Sequence, residues 1–95
     1  MQILGYKFMV DMSATEDEIG ASGRMHADKG LIQIANTLND EQKKSTAIHE
    51  IIEATNYLLD LGLTHQQICG IEAGIYSALA SVGGSIGGFL REAKL

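Results

Sequence analysis

The sequence predicts a small α+β domain, with an N-terminal strand and a β-hairpin packed on an antiparallel helical hairpin. Three observations predict it. Ile48, Ile51, Ile52, Leu58 and Leu59 recur at helical spacing within Ser45–Asp60, which marks one amphipathic helix. Asn39 with Gln42, and Thr64 with Gln67, have the spacing of two capping boxes. The short link between the two helices makes them antiparallel neighbours. Upstream, the short extended segment Met25-His26-Ala27 and the stronger run Leu31–Ile34 flank Asp28-Lys29-Gly30, which has the turn chemistry of a β-hairpin.

The elements follow in chain order. Met1 to Met12 alternates Tyr6, Phe8 and Val10 against Lys7 and Met9, so it reads as a strand. Ser13 to Gly23 is acidic and small-residue-rich, with Ile19 its only sizeable apolar residue; it reads as a loop that can hold one helical turn. Arg24 to Ala35 forms the hairpin, with Leu31–Ile34 its stronger strand, and the sheet is expected to have three strands. Asn36 to Asp40 connects to the long helix. Asp40 and Glu41 favour its positive N-terminal end, and Gly62, just beyond an end near Leu61, suits the left-handed position that closes a helix. The second helix carries Ile68, Ile71, Ile75, Leu79 and Val82 on its apolar face. Residues 1–82 form one domain. Glycines dominate Gly83–Gly88, so residues 83–95 are a tail expected to order poorly alone.

Composition narrows the function. The chain has 95 residues and a net charge of −5. Only Lys43-Lys44 cluster, which argues against a nucleic-acid surface. The single cysteine, Cys69, excludes an internal disulfide and reads as a small packed hydrophobe. No run reaches transmembrane length, and the N-terminus lacks the pattern of a signal peptide. A cytoplasmic protein with protein or peptide partners is the expectation; no membrane or nucleic-acid partner is expected, and the oligomeric state is open.

The chemistry concentrates on the polar face of the long helix. His49, Glu53, Asn56 and Asp60 lie three or four residues apart and share that face. If the hairpin is symmetric about Gly62-Leu63, Glu53 lies level with Glu72 and His49 with Tyr76. Glu72 falls between Ile68 and Ile75, close to the apolar face, where a carboxylate needs a metal, a cation or a hydrogen-bond donor. A carboxylate bonded to His49 or Tyr76 would satisfy that need without a metal.

The segment from His49 to Glu53 also resembles the HExxH motif of the zincin metallopeptidases, with glutamate in place of the second histidine. The layout is similar to small phage and prophage zincin-like proteins related to repressor-cleaving metallopeptidases, a minimal gluzincin arrangement. The resemblance implies a zinc-activated water attacking a peptide bond. It implies zinc ligands at His49, Glu53 and Glu72, Glu50 as general base and Tyr76 as an oxyanion partner. It implies that the strand Leu31–Ala35 forms the substrate edge and that Asn56 orients a ligand. Two anionic ligands would leave the zinc a weaker Lewis acid. The alternative is a non-catalytic phage accessory or binding module that keeps the fold without metal. His65, after the cap Thr64, reads as an exposed first-turn residue away from His49, and His26 as a strand residue.

Overall fold

The computed structural model describes residues 1–83 and has the expected α+β layout. The N-terminal run is broken where one strand was expected. Leu4 and Gly5 both have positive φ, 52° and 82°, the geometry of a two-residue hairpin turn whose twist matches its strands. They join β1 (Gln2–Ile3) to β2 (Tyr6–Lys7). The chain then passes through buried Phe8 into β3 (Met9–Asp11) in a second sheet. The loop contains the single helical turn it could hold, α1 (Glu16–Ile19). Thr15 and Glu18 form its capping box, Gly20 closes it at φ 80°, and Ile19 is driven into the core.

The predicted hairpin forms from β4 (Gly23–His26) and β5 (Leu31–Ile34), joined by a 3₁₀ turn over Ala27–Lys29. The sheet order is β3-β5-β4, with β5 parallel to β3 and antiparallel to β4. This overturns one expectation. Leu31–Ile34 is the central strand, hydrogen-bonded on both sides, and cannot be a substrate edge; the edges of this sheet are β3 and β4.

Both long helices start at their predicted caps. α2 spans Asp40–Leu59 behind the Asn39/Gln42 capping box, and α3 spans His65–Ser81 behind the Thr64/Gln67 box. α2 closes at Asp60, which takes the left-handed conformation itself (φ 50°), earlier than the expected closure at Gly62. The core joins Ile3, Phe8, Ile19, Ile32, Ile34, Ala35 and Leu38 to Ala54 of α2, with Ala47, Ile51 and Leu58 packed against it. The fully buried residues of α2 are Glu50 and Ala54, a carboxylate and a small residue, flanked by the partly buried Ile51 and Leu58. Gly23 permits a close approach of α2 to the sheet. A Cβ there would stand 2.5 Å from the Thr46 Cγ2 and 2.9 Å from the Gln33 carbonyl oxygen.

α3 is held mainly through Ile68, 1% exposed, whereas Ile71 and Ile75 are 41% and 40% exposed. Its predicted apolar face is therefore only partly covered by the described residues. No helix of the described residues is long and apolar enough to cross a membrane. Beyond Gly83, the Gly-rich tail lies outside the described residues.

Candidate functional site

The link between α2 and α3 sets which side chains meet. Asn56 holds it twice: its backbone oxygen accepts from the Leu61 N–H at 3.1 Å, and its Oδ1 accepts from the Leu63 N–H at 2.9 Å. These bonds bring Leu63 back alongside the last turns of α2, so α3 begins below the tip of the hairpin. The two arms are therefore not symmetric about Gly62, and facing residues move by about one helical turn. The Asn56 side-chain oxygen thus serves the hairpin link.

Because of this register, Glu72 faces Ser45 and His49. Its Oε1 lies 2.9 Å from the His49 Nδ1, and its Oε2 accepts a short hydrogen bond from the Ser45 hydroxyl. The pair is largely sheltered, with His49 and Glu72 side chains 15% and 20% exposed. The predicted meeting of His49 and Glu72 is present, but Glu53 is not part of it. Tyr76, expected beside them, lies one turn further along and donates a short hydrogen bond to Glu41. That bond holds Glu41 below the usual carboxylate range and raises the Tyr76 phenol. Tyr76 instead lines a separate cleft of about 470 Å³ with Ile48, Leu79 and Ala80.

The groove holding the His49–Glu72 pair measures about 300 Å³. Ala21, Ser22 and Gly23, leading into β4, form one wall; Ser45, Thr46, His49 and Glu50 of α2 form the floor. His65, Cys69 and Glu72 of α3 complete it. Glu50 is the buried charged residue of the described chain, 5% exposed. Burial raises its carboxyl to about 7, Glu53 and Glu72 push in the same direction, and His49 and Arg24 oppose them. A carboxyl poised there can take or release a proton at neutral pH.

Two groove residues depart from their sequence reading. The His65 ring centroid lies 5.3 Å from that of His49, although simple hairpin symmetry separates them. Cys69 is exposed, not packed, because its neighbour Ile68 occupies the buried position. Its Sγ lies 3.4 Å from the His65 Nε2. The i, i+4 spacing of His65 and Cys69 was visible in the sequence, but its direction toward His49 was not. His26 sits apart from the groove, its Nε2 2.7 Å from the Gln33 Oε1 across the β4–β5 pair.

A zinc ion held by His49, Glu53 and Glu72 requires three donors around one point. His49 and Glu72 meet, but among the described residues no three His, Cys, Asp or Glu side chains are gathered closely enough to hold a metal. The set implied by the zincin resemblance does not fit. Comparisons with family models, curated proteins and solved structures find no match to this chain.

Proposed function

We propose that this protein is a peptide-processing domain of zincin-like layout, in which an extended peptide adds to the edge of β4 and lies across the α2–α3 groove. The observation that carries the reading is the position of Glu50. It is a buried carboxyl on the long helix, beneath the start of an edge strand and beside a histidine–carboxylate pair. Edge strands recognise peptides through main-chain hydrogen bonds, which supply affinity without demanding a particular sequence. In this reading β4 aligns the scissile segment and Glu50 moves the proton during hydrolysis. The reaction class is hydrolysis, and His49, Glu53 and Glu72 do not form a three-donor set for an ion.

A second reading has its own support. The Glu72 carboxylate already meets both Ser45 and His49, so this part of the groove is satisfied by the protein's own hydrogen bonds. A non-catalytic module that binds peptides along β4 would need nothing more. The two readings separate in one experiment, using a mixture of unstructured, quenched-fluorescence peptides with and without added zinc. Slow turnover by the wild type that is lost in Glu50→Gln, with peptide binding retained, supports the hydrolase. Binding without turnover supports the module, and the absence of both rejects the peptide site.

A further inference from the structure

We propose that the groove contains a thiol nucleophile, Cys69, with His65 as its general base, so that a carbonyl group brought across it is attacked by sulfur. The inference rests on the peptide reading for its substrate, an acyl carbonyl of a peptide laid along β4. The reactivity of the thiol is measurable without any peptide.

A thiol is a weak nucleophile at neutral pH unless a neighbouring group takes its proton. The Cys69 Sγ lies 3.4 Å from the His65 Nε2, a hydrogen-bond distance for sulfur. The two residues stand one turn apart on α3, so the helix itself sets their spacing. Ile68 takes the buried position beside Cys69, which leaves the thiol and the imidazole exposed on the groove. An acyl donor reaches the sulfur without any opening of the fold.

The rest of the lining shows where a ligand is needed. His49 and Glu72 are satisfied by each other and by Ser45. Glu50 is not: it is 5% exposed and accepts no hydrogen bond from the described residues. Among those residues no fully buried side-chain nitrogen or oxygen lacks a partner. The Glu50 carboxyl therefore keeps its remaining access through the groove that it lines. An enclosed carboxyl without a protein partner calls for a polar group from outside the fold. Its Oε2 lies 3.2 Å from where a Cβ on Gly23 would stand, beneath the start of β4. A peptide aligned on that strand brings its carbonyl groups between Glu50 and the thiol.

The two proton acceptors serve the two halves of the reaction. In the first, the His65 Nε2 takes the thiol proton as sulfur bonds to the carbonyl carbon, and the carbonyl electron pair moves onto oxygen. Collapse of that adduct breaks the C–N bond, and the amine leaves with the proton held by His65. A thioester remains on Cys69. In the second half, water adds to the thioester and gives one proton to Glu50. The C–S bond breaks, the carboxylic acid departs and the Glu50 proton returns to sulfur. The cycle consumes only water and needs no oxidant or reductant.

The test uses the full chain with chelator present and p-nitrophenyl acetate as the acyl donor. Release of nitrophenolate is followed by absorbance, and intact mass with peptide mapping locates the acetyl group. The wild type should take up one acetyl group at Cys69 in a burst, and Cys69→Ser should show no burst. His65→Ala should slow acetylation about 100-fold, the lower range for loss of a general base. Glu50→Gln should slow release of the acetyl group by a similar factor, so that the thioester accumulates. The urea-unfolded wild type gives the intrinsic rate of the same thiol, and circular dichroism of each variant separates loss of the site from loss of the fold. Acetylation of the native chain no faster than of the unfolded chain, or a rate unchanged in His65→Ala, would overturn the assignment. The quenched-fluorescence peptides then separate the two inferences. Peptide turnover that survives in Cys69→Ser overturns the nucleophile and leaves the hydrolase reading standing. Rapid, His65-dependent acetylation without peptide turnover rejects that reading and supports the nucleophile.

Discussion

Replacing Glu50 with glutamine should stabilise the folded domain at alkaline pH, and the gain should vanish in acid. The carboxyl is raised from 4.5 to about 7, with burial as the first cause. Between those two values the folded state binds more protons at this site than the unfolded state. Stability therefore falls as pH rises, by up to about 1.4 kcal/mol per pH unit. Below 4.5 the carboxyl is neutral in both states; above 7 it is charged in both, and the folded state carries the full cost of the buried charge. The whole interval corresponds to about 3 kcal/mol, an upper limit because the side chain borders the groove. Glutamine keeps the size and removes the charge. We expect Glu50→Gln to raise stability by about 1–3 kcal/mol at pH 8, a shift of at least about 4 °C for a domain of this size. At pH 4, the acid end of the series, the two proteins should melt nearly together. Thermal unfolding across pH 4–9, with chelator present, measures the difference. A mutant less stable than wild type at pH 8, or a difference that does not change with pH, would refute the reasoning.

Two further substitutions test the geometry around the groove. Asn56→Ala removes the acceptor for the Leu63 N–H and should cost about 1–2 kcal/mol, the range for a lost hydrogen bond that leaves a donor unpaired. Denaturant unfolding should register this cost, and proton NMR should show the His49 ring leaving its Glu72 environment as the hairpin register loosens. Gly23→Ala places a methyl group 2.5 Å from Thr46 Cγ2 and 3.2 Å from the Glu50 Oε2. Overpacking of that kind costs about 1–3 kcal/mol. A lowered thermal midpoint is expected, whereas an unchanged midpoint would mean that β4 and α2 are not held this closely.

Where a signal is local, the sequence determined the outcome. The starts of α2 and α3 follow from Asn39/Gln42 and Thr64/Gln67, because a capping box satisfies backbone donors within four residues. The β4–β5 hairpin follows from its turn residues and the apolar run after Gly30. The break between β1 and β2 was local too, but Leu4-Gly5 lacks the usual Asn-Gly or Asp-Gly signature, so it passed as continuous strand. The approach of Glu72 to His49 was also legible, since short links force neighbouring helices to run antiparallel.

Tertiary structure decided the partners within that approach. A hydrogen bond from Leu63 to the Asn56 side chain folds the link back along α2, and the resulting offset cannot be read from helix periodicity. It separates Glu53 and Tyr76 from Glu72, and it brings His65 and Cys69 into the groove. Sheet order was equally non-local: β3 pairing alongside β5 makes β5 central and leaves β4 at the edge. The burial of Glu50 depends on the same packing, because the missing side chain of Gly23 lets α2 approach the sheet at Thr46 and Glu50. Periodicity named two faces of the long helix; contact with the sheet and with α3 determined which residues each face would use.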